Sequence, residues 1–226
     1  MIMFKWTETG NYNLRRGLML MWPFNDKKKK VEQVGKSCYF SVKEPTEGNE
    51  FNEMVDKLKD ILNQTSKEVI ILCVGSDRST GDSLGPIVGT MLTETEIPFL
   101  IYGTLEKPVH ALNFKQTLKE INQTHNHPFI LGIDASLGDE RQIGFIFLKE
   151  GSLLPGMAVN KKLPGVGEYH MKAVVNYLDP LFPAQSLNNT RLFTVVMIAE
   201  VMTKIITQAV LGEPSTYERP VESLHR

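Results

Sequence analysis

Residues Val74 to Pro86, VGSDRSTGDSLGP, place Asp77, Arg78 and Asp82 among three glycines, directly behind an apolar run. A glycine-rich turn between a strand and a helix is a common phosphate cradle, but that chemistry ends in Gly-Lys-Ser/Thr. Here the turn ends in Gly81-Asp82-Ser83, and Gly75 is followed by Ser-Asp-Arg, so the dinucleotide fingerprint fails as well. A carboxylate in that place repels phosphate. It suits a proton, a water or a cation.

The other residues able to do such chemistry are few. Asp134 ends FILGIDAS, Glu168 and His170 lie in LPGVGEYHMKAVV, and His110 lies in KPVHALN. Two carboxylates brought together push one proton affinity up, so one holds a proton while the other stays ionised. Alternatively they bind a divalent cation, which cancels their repulsion and activates water. Asp82, Asp134 and His170 would form a three-ligand site with a position open to water, and zinc, nickel or manganese would all suit such donors. His110 follows the second predicted strand and competes with His170 for the same crevice. Asp77 reads as a cap of the turn with Arg78 as its ion-pair partner. Arg78 would orient an acid or close the crevice, and Glu168, near His170, is a further supporting residue. His125 and His127, in a polar turn, read as surface residues.

The elements that must position these groups are legible from periodicity. Phe51, Met54, Val55, Leu58, Ile61 and Leu62 recur at helical spacing. EVIILCVG is a continuous, β-branched apolar run, as in a central parallel strand covered on both faces. A helix over LGPIVGTMLTE, a strand over FLIYGTL, a helix over HALNFKQTLKEINQ and a strand over FILGIDAS follow. QIGFIFLKE comes after a short polar turn and is expected to pair antiparallel with the strand before it. VGEYHMKAVVNYL and TRLFTVVMIAEVMTKIITQAV are expected to be helices, with His170 opening the first of them. This alternation predicts a three-layer α/β/α sandwich with a mostly parallel sheet. Ligands in such sheets bind beyond the carboxyl ends of the strands. The first and third strands of the series are commonly neighbours, so Asp82 and Asp134 are expected to face one crevice.

The chain has 226 residues, 42% apolar and 23% charged, with a formal net charge of −1. That balance favours neither nucleic acid nor an anionic membrane. The exception, Lys27 to Lys30, reads as a solvated run. No segment was expected to supply the roughly 18 apolar residues of a membrane span, and GLMLMWPF, running straight into lysines, is a poor signal sequence. Cys38 and Cys73 make no disulfide framework and no CxxC pair, which fits a reducing compartment. Residues 1–48 are expected to be a partly disordered extension, 49–212 the α/β domain and 213–226 a fraying tail. The final long apolar helix is expected in the core, with a homo-oligomer left open.

Five blocks in order, CVGSDRSTGDSLGP, YGTLEKPVHALN, IDASLG, LPGVGEYH and NTRL, resemble the YyaC-type sporulation proteins of endospore-forming Firmicutes, from about Val69 to about Lys204. That group is similar to the spore germination protease and to the hydrogenase maturation endopeptidases. The resemblance implies a phosphorylase/hydrolase-like fold and a peptidase acting on protein or peptide, with small acid-soluble spore proteins as candidate substrates. The setting it implies is the cytoplasm of the mother cell or forespore. It places Asp82 and Asp134 on the acids of both peptidase groups, and His170 on the third metal ligand of the endopeptidases. The germination protease uses its acid pair without a required metal. A non-catalytic sporulation factor, using the same crevice to bind, is the alternative of a different class.

Overall fold

A computed structural model describes residues 38–44, 46, 48–156 and 163–212. The lysine run, the apolar segment before it and the C-terminal tail therefore lie outside the described residues. Six strands form one sheet: β1 (Cys38–Ser41), β2 (Val69–Cys73), β3 (Leu100–Tyr102), β4 (Phe129–Gly138), β5 (Phe145–Glu150) and β6 (Tyr169–Tyr177). Their order is β1-β5-β6-β4-β2-β3. Among the described residues five α-helices accompany them: α1 (Asn49–Asn63), α2 (Leu84–Thr93), α3 (Phe114–Thr124), α4 (Pro183–Asn188) and α5 (Leu192–Leu211).

The centre of the sheet is parallel, β3 and β4 flanking β2, and β6 flanking β4. All five residues of β2 are buried, as its unbroken apolar run predicts for a strand covered on both faces. Ile71 and Cys73 join the core built by α1, α2 and α5, while Ile70, Leu72 and Val74 join Phe114 and Ile121 of α3 on the other face. This is the expected mostly parallel α/β sandwich, with β2 and β4 adjacent.

Four expectations are corrected. The sheet begins at β1, within the stretch assigned to the extension, because Phe40 is buried against Phe51 of α1. β5 pairs antiparallel with β6 and β1, not with β4; the parallel strand β6 takes the place beside β4, and the 3-10 turn Glu140–Gln142 carries the chain across it. Residues Tyr169–Tyr177 form a strand rather than a helix: Met171, Ala173 and Val175 alternate into the core, and Val174, Val175 and the flanking tyrosines favour a pleated surface. His170 thus belongs to a strand, not to a helix start.

The fourth concerns α5, which by length and composition alone could cross a membrane, with a mean hydropathy of 1.6 over 18 residues. Half of that stretch is buried inside the domain, where Val195, Ile198, Met202, Ile205 and Ile206 pack in the core. The apolarity of α5 is that of a core helix lying on α1 and α2.

The fit of α2 to the sheet needs glycine at Gly85. A Cβ there would collide with the backbone carbonyl of Val74 at the end of β2, with the carbon and nitrogen of the same residue close behind. No rotamer change relieves a clash with main chain. Gly85→Ala is expected to lose roughly 2–4 kcal/mol of stability in denaturant unfolding; a loss under about 0.5 kcal/mol would show that α2 does not approach β2 so closely.

Candidate functional site

The turn after β2 is folded on its own hydroxyls and carbonyls. Val74 N–H donates to the Ile133 carbonyl at 2.8 Å and Gly75 N–H to that of Val109 at 2.8 Å, extending the parallel path past Cys73. Ser76 N–H then reaches back to the Asp82 carbonyl at 3.0 Å, and the Ser83 hydroxyl donates to the Thr80 carbonyl at 2.6 Å. The last contact closes the one-turn 3-10 helix Gly81–Ser83 that leads into α2. Asp82 is in this turn, half-buried.

Asp134 arrives from the neighbouring strand. The β2–β4 pairing ends at Cys73 and Ile133, so Asp134 is the first β4 residue beyond it. β4 continues to Gly138, which places Asp134 inside the strand rather than at its end. The two acids line one cavity of about 290 Å³ with His110, Arg78 and Ser79, and Leu112, Leu163 and Leu187 contribute apolar wall. The pairing of β2 with β4 is thus what brings Asp82 and Asp134 to one crevice.

Asp134 is 6% exposed. Burial lifts its proton affinity, the ammonium of Lys172 draws it down and the Asp82 charge pushes it up again; the balance is about 6, against an ordinary 3.8. Lys172 was not anticipated. It is the register partner of Asp134 on β6, its Nζ is 3.3 Å from Asp134 Oδ2, and it also donates to the Leu154 carbonyl at 3.3 Å. Read as a helix, this stretch hides the lysine on a solvent face; the alternation of Met171, Ala173 and Val175 was the signal that could have found it. Ser79 was also missed: its Oγ is buried and has no hydrogen-bond partner among the described residues.

The remaining candidates disperse. His170 pairs with Gly132, one pleat before Asp134 on the same face. It donates from Nδ1 to the Gly151 carbonyl at 2.8 Å, and burial, then Lys172 and Lys149, hold its proton affinity below the usual value. It does not line the cavity, whereas His110 does. The proposed triad of Asp82, Asp134 and His170 is not assembled, and among the described residues no three His, Cys, Asp or Glu side chains come together to hold a metal. Glu168 is at the opposite end of β4, paired with Lys67 at 3.0 Å and accepting from Ile130 N–H at 3.0 Å. Asp77 is exposed and outside the cavity lining, and no ion pair joins it to Arg78. His125 is not a simple surface residue: its ring contacts Glu68 at 2.8 Å and the Tyr102 hydroxyl at 3.2 Å.

Comparison with known proteins gives matches of three kinds. A family model described as "Protein of unknown function (DUF1256)" covers residues 42–205. A Bacillus subtilis (strain 168) protein, "Uncharacterized protein YyaC", is 42% identical over 137 residues, which are 60% of this chain and 66% of the relative, just under two thirds of its length. Among solved structures, the [NiFe] hydrogenase maturation protease HycI of Thermococcus kodakarensis KOD1 aligns with a TM-score of 0.45 at 13% identity, covering 69% of this chain and 99% of that one.

The burial of Asp134 has a measurable sign. A carboxyl whose folded pKa is raised contributes stability that is fully present below its unfolded pKa and is lost as pH rises through the folded one. For Asp134 the loss falls between about pH 4 and pH 7, and it is on the order of 3 kcal/mol at most. Asp134→Asn removes it, because asparagine and the protonated acid are both neutral beside Lys172. Thermal melts of the variant and wild type are therefore expected to agree near pH 4, with the variant gaining from pH 4 to 7 and the gap constant above. A gap that shrinks with rising pH would contradict the assigned environment.

Proposed function

This chain belongs to the DUF1256 family, and we propose that it is a hydrolase that cleaves a peptide bond with the pair Asp82 and Asp134. The observation that carries the reading is the meeting of both carboxylates on one cavity where the parallel β2–β4 pairing ends, with the buried acid held near a neutral proton affinity. The five sequence blocks that resemble YyaC-type proteins, and through them the germination protease, support the choice of a peptide bond.

In this reading Asp82, nearer to solvent, accepts a proton from a water as that water attacks the scissile carbonyl. Asp134, protonated in part at neutral pH, gives its proton to the leaving amine nitrogen. The two acids then differ in charge before the reaction and exchange that difference during it, which is how a carboxyl pair divides general acid and general base work. Arg78, exposed at the cavity, is placed to engage the substrate rather than the reacting atoms. Small acid-soluble spore proteins as substrate, a sporulating bacterium as host and its cytoplasm as compartment form part of the proposal and rest on the same resemblance.

The second reading, a non-catalytic factor that binds through the same cavity, is favoured by one observation: Asp134 is already engaged by Lys172. Intact-mass spectrometry of small acid-soluble spore proteins incubated with the protein separates the two. The peptidase gives defined fragments, at least 100-fold more slowly with Asp82→Asn or Asp134→Asn, and its kcat/KM declines as pH rises through about 6. Absence of fragments at any pH, with or without zinc, nickel or manganese, decides for the binding factor, and cleavage undiminished in both variants overturns the assignment of the aspartate pair.

A further inference from the structure

Building on the reading of the Asp82–Asp134 cavity as the reacting site, we infer that Lys172 is the resident cation of that site. Its ammonium holds, and compensates the charge of, the carboxylate that a divalent metal in this cavity would need as a ligand. Lys172 is a positioning residue, acting through Asp134, and the cavity works without a metal ion.

Three observations converge on this. Lys172 is tied by main-chain register to Asp134, so the pairing is set by the β4–β6 ladder and not by a chance encounter of long side chains. Its side chain is 20% exposed, and its Nζ divides between Asp134 Oδ2 and the Leu154 carbonyl, each at 3.3 Å. A second acceptor adds to the carboxylate in satisfying the donors of the ammonium, which is how a lysine largely withdrawn from solvent stays charged and oriented. Finally, the imidazole expected to complete a metal site, that of His170, does not line the cavity. The pocket's own imidazole, His110, has Nδ1 engaged by Leu112 N–H at 3.3 Å.

A dication bound by Asp134 would meet the Lys172 ammonium at close range in a region of low dielectric, where like charges repel strongly. It would find Asp82 as a second carboxylate, but no assembled third ligand among the described residues. The ammonium offers what the carboxylate needs, a compact positive charge with directional donors. Burial first, and then the charges of Lys172 and Lys149, hold the proton affinity of His170 below its usual value.

The test uses the full chain and the chlorides of manganese, nickel and zinc as probes, with binding followed by calorimetry and unfolding by thermal melts at pH 8. Wild type is expected to show no metal binding that Asp134→Asn removes. Lys172→Met is expected to lower Tm by on the order of 10 °C, since it strands a buried carboxylate, and Lys172→Arg to recover most of that loss. Placed in the Asp134→Asn background, Lys172→Met is expected to cost almost nothing. Metal binding by wild type that depends on Asp134 overturns the inference, as does an equal loss of Tm in both backgrounds, which would make Lys172 a packing residue only. Should Lys172→Met fail to fold, folding of the double variant with the Tm of Asp134→Asn alone supports the inference and its failure overturns it. None of these readings requires cleavage, so they stand apart from the peptidase proposal.

Discussion

A carboxylate enclosed in an apolar sheet must find compensation or give up its charge, and the arrangement around Asp134 follows from that constraint. Burial raises its proton affinity, while the adjoining ammonium and the Ala135 main-chain amide oppose the rise. Neither influence acts alone. With burial only, the group would remain an acid at neutral pH; with the ammonium only, it would be an ordinary ionised aspartate. The register of β4 with β6 supplies the ammonium, and the end of the β2–β4 ladder supplies the opening toward Asp82. Two strand pairings thus set both the position and the protonation of Asp134.

Much of the fold was legible because the central elements carry redundant signals. β2 is apolar at every position, α1 repeats Phe51, Met54, Leu58, Ile61 and Leu62 along one side, and the glycine-rich turn marks the junction with α2. The adjacency of β2 and β4 followed from the alternation of elements, and with it the shared cavity of Asp82 and Asp134. Where sequence reasoning failed, two periods competed. In YHMKAVVNY the apolar residues at Met171, Ala173, Val174 and Val175 satisfy a short helix as well as a strand, and only burial on both sides of the sheet decides between them.

That ambiguity had a chemical consequence larger than one misread element. With His170 on a helix start, a three-ligand metal site was the natural construction; with His170 on a strand, the same period-two geometry that turns it toward Gly151 brings Lys172 to Asp134. The placement of His110 was more accessible, since a loop following a parallel strand opens onto the carboxyl-end crevice whatever the fate of later elements. Ser79 carries no signature at all: an orphan hydroxyl is a property of three-dimensional packing, invisible to residue type or spacing.

The edges of the sheet bear on how a polypeptide could approach this molecule. The outer strands are the shortest, β3 with three residues and β1 with four, so each presents only a brief row of main-chain donors and acceptors. Docking an extended peptide as an additional strand draws its strength from a long ladder of such groups, and short edges are also how sheets resist sticking to one another. A polypeptide brought to this molecule would therefore meet side chains around the crevice, among them the exposed Leu112, and the short edges would add little by way of a main-chain ladder.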